Sequence, residues 1–286
     1  MYLTGEFIAT LFPLPVLYWI AKRLAELNYL FDKRGREAVK ANLRVMMPEI
    51  ANEKALNNAA RQTFYHFALY LAEFFRMRRA DRAYFDSHVK IEGLENVDEA
   101  MKPGKGVVVV SAHYSNWELG LACLAMSGYP AYGIIAPHKN KRVNDLFLKP
   151  RISLGVRVIS TENAIEGGYK ALRENGIICL LADRVTTKGG IETTFFGHTA
   201  VFPKGPSKFA LGAHAPLVPA YIIRQPENRF LITFSKPIPT DGMPDDDESV
   251  QKLMDIYTRQ LETYIKRDPT QLEAFYRIWK DADSSA

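Results

Sequence analysis

The chain has 286 residues, 47% of them hydrophobic, and a net charge of +5. This length and composition fit one large α/β domain or two small domains, and they exclude a wholly disordered chain. Residues 1–90 hold 14 Lys/Arg against 9 Asp/Glu, whereas residues 91–286 hold 23 of each. The basic N-terminal third therefore suits an anionic partner, such as a bilayer surface, a nucleic acid or an acidic carrier protein.

The first apolar segment, residues 7–20, contains Pro13 and Pro15 and is shorter than the roughly 20 residues that a bilayer-spanning helix needs. No basic segment precedes it and no cleavage site follows it, so it does not read as a secretory signal. We predict a segment that lies in the membrane interface, with Lys22 and Arg23 among the headgroups. A buried core helix is the alternative.

The next residues, 14–80, have helical periodicity, with helices predicted over 36–47 and 52–79. The longer helix ends in a basic cluster of Arg76, Arg78, Arg79 and Arg82. These cations either complement the helix dipole or contact a headgroup or a carrier protein. We predict residues 1–86 as an N-terminal helical, membrane-associating region and 87–286 as an α/β core, joined in one integrated domain.

From residue 88 onward, short β-branched runs alternate with helical segments. Strands are predicted at 107–110, 131–136, 157–159, 177–181, 191–196, 217–223 and 229–234. Helices are predicted at 119–126, 140–153, 164–173, 204–213, 249–267 and 271–279. This alternation predicts an α/β fold with a mostly parallel central sheet flanked by helices, next to the N-terminal helical membrane-docking region.

The cysteines and histidines do not indicate a metal site. Cys123 and Cys179 each lie in an apolar run, which predicts buried thiols in a reducing compartment. The six histidines show no clustered ligand spacing. The glycine-rich motifs of dinucleotide enzymes and P-loop proteins and the Gly-x-Ser-x-Gly motif of serine hydrolases are also absent.

The segment from Val107 to Glu118 holds the main candidate site. An apolar strand ends just before His113, and a helix then begins with Ser115 or Asn116 as its N-cap. Ligands in open α/β sheets bind at this edge. Glu118 would accept the Nδ1–H of His113, which would leave Nε2 to take a proton from an alcohol. Alternatively, Ser115 and Glu118 form a capping box and have no catalytic part.

Several blocks in order resemble the bacterial lipid A biosynthesis acyltransferases, within the wider His-x4-Asp/Glu glycerolipid acyltransferase group. These blocks are His-x-x-Asn-Trp-Glu at 113–118, Arg-Glu-Ala-Val-Lys-Ala-Asn-Leu at 36–43, Ala-Asp-Arg at 182–184, the run at 188–197 that begins with Lys188, Phe-Pro-Lys-Gly-Pro at 202–206, and the strand at 215–221. The C-terminal aromatic motif is kept only in part, at 275–280.

The resemblance implies O-acyl transfer from acyl carrier protein or acyl-CoA to a hydroxyl of a lipid A precursor or related glycolipid, with no cofactor. It implies His113 and Glu118 as the catalytic pair. The substrate-binding candidates are Asn116, Asp183, Arg184, Glu192 and Lys204. Asp183 and Arg184 are alternatively a structural ion pair.

The expected location is the cytoplasmic face of the inner membrane, with the acyl chain in an apolar channel against the face of residues 64–75. Two alternatives stay open. One is a lysophospholipid or other lipid acyltransferase of the same fold, and the other is a basic, non-catalytic membrane- or nucleic-acid-binding protein. We expect the partners to be the acyl donor, the lipid acceptor and a membrane surface, and no nucleic acid.

Overall fold

A computed structural model of the chain describes residue 9 and residues 11–79, 81–185 and 189–279. Three helices come first: α1 (Leu14–Phe31), α2 (Lys33–Met46) and α3 (Glu53–Arg76). Asp32 and Asn52 cap α2 and α3 through their side chains. The predicted helical N-terminal third is confirmed over these ranges, and no described helix is both long enough and apolar enough to cross a bilayer.

The remaining elements alternate between strands and helices. They are, in chain order, α4 (Arg82–His88), β1 (Val89–Glu92), α5 (Leu94–Met101), β2 (Val107–Ser111), α6 (Trp117–Met126), β3 (Ala131–Ile135), α7 (Lys141–Ser153), β4 (Arg157–Ser160), α8 (Ala164–Arg173), β5 (Ile177–Leu181), β6 (Gly190–Phe195), β7 (His198–Pro203), α9 (Gly205–Ala213), β8 (Leu217–Arg224), β9 (Phe230–Phe234) and α10 (Asp247–Ile265).

The central sheet has the order β1-β9-β8-β2-β5-β3-β4. Its neighbouring strands pair in parallel except for β8 and β9, which are antiparallel. The predicted mostly parallel sheet is therefore confirmed. β6, which we predicted from residues 191–196, pairs instead with β7 in a separate antiparallel hairpin.

Helices cover both faces of the sheet, and this explains why β2 is apolar at Val107–Val110. Val107 and Val109 pack with residues of α5, α6 and α7 on one face. Val108 and Val110 pack with residues of α8, α9 and α10 on the other. A strand buried on both faces needs a continuous apolar run without alternation. β2 is also the fourth of seven strands, so the residues that follow it lie at the middle of the sheet edge.

The end of the chain differs from the prediction. A helix was expected over 271–279, but the structure has a short 3-10 turn at Pro269–Gln271 followed by irregular backbone. Several of its backbone groups bond to other parts of the protein, among them the carbonyl oxygens of Ala274 and Tyr276 and the N–H of Glu273. The helix prediction was wrong because apolar spacing alone does not reveal such long-range partners.

Candidate active site

His113 and Asp183 meet at the carboxyl edge of the sheet. β2 and β5 run in parallel with Ser111 opposite Leu181, so the residues two positions beyond each strand lie side by side. The backbone N–H of His113 donates to Asp183 Oδ1 at 3.0 Å, and His113 Nδ1 lies 2.8 Å from the same oxygen. The sequence placed both residues at this edge, and the structure brings them into direct contact.

Asp183 is suited to stay ionised beside the imidazole. Its side chain is 7% exposed. Burial by itself raises the pKa of this carboxyl, but its electrostatic interaction and hydrogen bonds with His113, together with Arg184, outweigh burial and hold the pKa below its ordinary value. Because a carboxylate only accepts hydrogen bonds, Nδ1 carries the hydrogen in this contact. Nε2 is then the nitrogen that can accept a proton.

Glu118 does not hold His113. Arg151 Nε donates to Glu118 Oε2 at 2.8 Å, and Arg151 Nη2 donates to Glu118 Oε1 in a second bond. Both side chains are almost fully buried. The prediction of a hydrogen bond between His113 and Glu118 is therefore wrong. The chain turns between the two residues at Ser115, whose φ of 57° is left-handed.

The capping-box alternative is also wrong. Asn116 is the N-cap of α6, and no side chain caps this helix end. The Ser115 N–H donates to the carbonyl oxygen of Gln271 at 2.9 Å, and the Glu118 carboxylate is occupied by Arg151. Glu118 is thus neither the imidazole partner nor a cap.

Asn116 is fully buried in a polar network behind the site. Its Nδ2 donates to Glu73 Oε2 at 2.9 Å. Arg224 donates to both Glu73 oxygens at 2.7 and 2.8 Å, and the Tyr18 hydroxyl donates to Oε1 at 2.7 Å. This network joins α1, α3, β8 and the start of α6. The structure therefore gives Asn116 a contact inside the protein in place of the predicted substrate contact.

A cavity of about 430 Å³ lies against the sheet on the α6 side. His113, Glu118, Arg151 and Arg184 form much of its polar wall. Its apolar wall comes from α6 and strands β2, β3, β5, β8 and β9, and it includes Leu121, Leu124, Gly133, Ile135, Cys179, Ile222 and Phe234. A polar wall next to an apolar pocket fits a ligand with a reactive head and a hydrocarbon tail.

The family model described as "Bacterial lipid A biosynthesis acyltransferase" matches residues 1–281. The chain belongs to this family. The lipid A biosynthesis palmitoleoyltransferase of Escherichia coli K12 is 23% identical over 274 residues, which cover 94% of this chain and 86% of that protein. The lauroyltransferase of the same organism is 23% identical over 176 residues, 60% of this chain and 55% of that protein.

A mycobacterial protein with a different acceptor in its name is also similar. The phosphatidylinositol mannoside acyltransferase of Mycolicibacterium smegmatis is 27% identical over 165 residues, 56% of this chain and 54% of that protein. The chain thus spans about half the length of the mycobacterial relatives it matches. The resemblance to the lipid A acyltransferase family that the sequence motifs indicate is confirmed by the family match.

Of the other predicted site residues, one lines the cavity and two lie elsewhere on the described part of the protein. Arg184 lines the cavity and donates to the carbonyl oxygen of Glu273. Glu192 is exposed on β6, and Lys204 pairs with Asp247 at 3.3 Å before α9. Among the described residues, the cavity wall includes Arg184 but neither Glu192 nor Lys204. Lys188, which begins the matching block, lies outside the described residues.

Three residues of the site were missed by the sequence reasoning. Arg151 binds Glu118, and no local motif on α7 marks it. The Trp117 ring packs edge-on against the His113 ring with centroids 4.7 Å apart, and Tyr70 packs on Trp117 at 4.2 Å. Trp117 lies within the His-x-x-Asn-Trp-Glu motif at 113–118, so the sequence did mark it as a candidate. Tyr70 lies 43 or more residues from the others, and its signal was its place within residues 64–75, the face expected to line the acyl channel.

Proposed function

We propose that this protein is an O-acyltransferase that moves a fatty acyl chain from a thioester to a hydroxyl group of a glycolipid. The observation that carries this proposal is the Asp183-bound imidazole of His113 in the wall of an apolar cavity. Membership of the acyltransferase family supports the reaction class.

In the proposed reaction, His113 Nε2 takes the proton of the acceptor hydroxyl while the oxygen attacks the thioester carbonyl carbon. Asp183 stabilises the imidazolium that forms. The tetrahedral intermediate collapses as the C–S bond breaks, and the leaving sulfur takes the proton from His113. The products are one ester and one thiol, and His113 and Asp183 return to their starting state.

We assign the two arginines of the cavity wall different parts. Arg184 lies beside Asp183 and is partly exposed, so the part of its guanidinium that is not bound to the Glu273 carbonyl oxygen can polarise the thioester carbonyl or bind a phosphate. Arg151 is bound by Glu118, and this pair fixes α6 to α7 next to the cavity. Glu118 then acts on the site through Arg151.

The acyl chain is proposed to occupy the apolar part of the cavity, along Leu121, Gly133, Ile135 and Cys179. Of the face expected from the sequence, residues 64–75, Tyr70 lines the cavity among the described residues. The proposed channel therefore lies between the sheet and α6, with the long α3 helix only at one side.

The exposed face of α1 supports a membrane-bound location. Trp19 is 63% exposed and Phe31 82% exposed, and further exposed apolar residues on this helix are Val16, Leu24, Leu27 and Leu30. Lys22 and Arg23 are exposed on the same helix. An apolar helix face with basic residues is typical of interfacial binding to anionic lipid. We propose binding to the cytoplasmic face of the inner membrane, where thioester donors are made.

This membrane contact is tested by cosedimentation with vesicles. The wild type should bind vesicles that contain anionic lipid, and the Trp19→Ser/Phe31→Ser double variant should bind at least about tenfold less, since it removes two large apolar side chains from the interface. Equal binding of both proteins would contradict the proposed docking face.

The reaction is tested with purified protein in detergent–lipid micelles. Release of free thiol is followed with acyl carrier protein and with acyl-CoA as donors, and products are identified by mass spectrometry. The acceptor panel contains a lipid A precursor, a phosphatidylinositol mannoside and a lysophospholipid, because the relatives' names point to two glycolipids. Acceptor-dependent thiol release supports the proposal and identifies donor and acceptor. Vesicle binding without thiol release for any pair would favour the non-catalytic alternative.

A further inference from the structure

The irregular segment 271–279, which we call the C-terminal strap, crosses the carboxyl edge of the sheet at His113. The Glu273 N–H donates to the carbonyl oxygen of His113 at 2.9 Å, and the Ser115 N–H donates to that of Gln271 at 2.9 Å. Between them, Tyr114 and Leu272 form an antiparallel bridge. The strap is therefore paired through its backbone with the loop that carries His113.

The same strap also holds the loop after β5. The Tyr276 hydroxyl donates to the carbonyl oxygen of Asp183 at 2.7 Å. The Arg184 guanidinium donates to the carbonyl oxygen of Glu273 and lies 5.4 Å from the centre of the Tyr276 ring. Both ends of the His113–Asp183 hydrogen bond are thus fixed by one short piece of chain.

Asn42 of α2 anchors the strap. Its Nδ2 donates to the carbonyl oxygens of Ala274 and Tyr276 at 3.1 and 2.7 Å, and its Oδ1 accepts from the Ile278 N–H at 3.0 Å. Asn42 is 2% exposed. One buried amide therefore satisfies three backbone groups that have no helix or sheet to pair them.

The far end of the strap is fixed independently. The Trp279 indole N–H donates to the carbonyl oxygen of Phe195 in the β6–β7 hairpin at 3.0 Å, and its ring stacks on Phe195. Together, Asn42 and Trp279 leave the stretch over the catalytic loops little freedom. Glu273 adds a buried carboxyl whose pKa burial raises well above the ordinary value.

We propose that the C-terminal strap is a part of the active site, in which Tyr276 and Asn42 are positioning residues for His113 and Asp183. The inference rests on the proposed acyl transfer. It joins two sequence blocks that the reaction itself does not use, the Asn-Leu at 42–43 and the aromatic motif at 275–280, because Asn42 holds the segment that carries the aromatics. The strap touches residues 113, 115, 183 and 184, which are the reacting pair and its neighbours.

The test variant is Tyr276→Phe, which removes one hydroxyl and keeps the ring beside Arg184. Because small misplacement of reacting groups costs rate more than binding, kcat should fall about tenfold while KM for donor and acceptor stays within about twofold. The matched control is Tyr169→Phe, which removes a hydroxyl that donates to the carbonyl oxygen of Lys208 at 3.2 Å, between α8 and α9. Its kcat should stay within about twofold.

A double-variant cycle separates positioning from general destabilisation. If Tyr276 acts through Asp183, adding Tyr276→Phe to Asp183→Asn should lower kcat by less than about twofold. The reason is that Asp183→Asn has already weakened the contact between residue 183 and His113 that Tyr276 positions. Asn42→Ala, measured on protein that remains folded by circular dichroism, should likewise lower kcat at nearly constant KM.

These outcomes are distinct from failure of the proposed function. Absence of thiol release by the wild type would reject the acyl transfer itself. An active wild type with unchanged kcat in Tyr276→Phe, a loss equal to that of Tyr169→Phe, or independent effects of Tyr276→Phe and Asp183→Asn would overturn the role of the strap.

Discussion

Replacement of Glu118 by alanine should lower the free energy of unfolding by about 3–5 kcal/mol, the range for breaking one side of a buried ion pair. The side chains of Arg151 and Glu118 are 10% and 5% exposed. The variant removes two charge-assisted hydrogen bonds, each of which contributes about 1.5–3 kcal/mol. The Phe74 ring, 4.9 Å from the guanidinium carbon, would remain as its neighbour but cannot replace a carboxylate.

The assay is urea unfolding followed by circular dichroism. Glu118→Leu/Arg151→Met removes both charges and keeps most of the volume, so its free energy of unfolding should return to within about 1–2 kcal/mol of the wild type. Asp86→Ala is the control, since the Arg82–Asp86 pair is exposed and should contribute less than about 1 kcal/mol. If Glu118→Ala lowered the free energy of unfolding as little as Asp86→Ala does, the predicted contribution of the buried Glu118–Arg151 pair would be refuted.

Three further predictions concern catalysis, specificity and pH. Asp183→Asn weakens two charge-assisted bonds to His113 by about 1–1.5 kcal/mol each, so kcat should fall about 30- to 150-fold. Gly133→Val fills the cavity beside Leu121, whose Cδ2 lies 2.9 Å from an added Cβ, so the preferred acyl chain should shorten by about two carbons. Burial lowers the pKa of His66 to about 4. The unfolded chain, with a pKa near 6.5, therefore binds a proton first as pH falls, and the free energy of unfolding should drop by about 3 kcal/mol from pH 7 to 4.

Each of these has a direct check. Steady-state kinetics on Asp183→Asn would contradict the account if kcat stayed within about threefold of the wild type. Competition among acyl thioesters of different length tests Gly133→Val, with Gly205→Val as the control because an added Cβ there meets no atom within 4 Å. For the pH effect, a His66→Gln variant with the same loss of stability between pH 7 and 4 as the wild type would rule out His66.

The fold was predictable because its signals are local. Continuous apolar runs at Val107–Val110 and Ile177–Leu181 indicate strands covered on both faces, and the helix at Ala164–Arg173 was predicted with its observed bounds. A strand was predicted at 191–196, but β6 joined a separate hairpin, because the pattern of apolar residues does not show which strand will pair with which.

The site was predictable only to the level of the sheet edge. His113, Asp183 and Arg184 each follow a buried strand, and the parallel arrangement brings those strand ends together. The contact itself depends on the register of Ser111 with Leu181, and register is set by packing across 70 residues of chain. Glu118 seemed nearer because it is five residues away, but the left-handed Ser115 and the distant Arg151 decide its contacts.

The most direct test of the central claim, that the Asp183-bound His113 is the general base of acyl transfer, is a single-turnover measurement of thioester cleavage in the presence of the acceptor. The His113→Ala variant should lose about 10²- to 10⁴-fold in rate, as expected for removal of a general base. His88→Ala, which changes a histidine at the end of α4, serves as the control and should keep the wild-type rate. A His113→Ala rate within about threefold of the wild type would contradict the account.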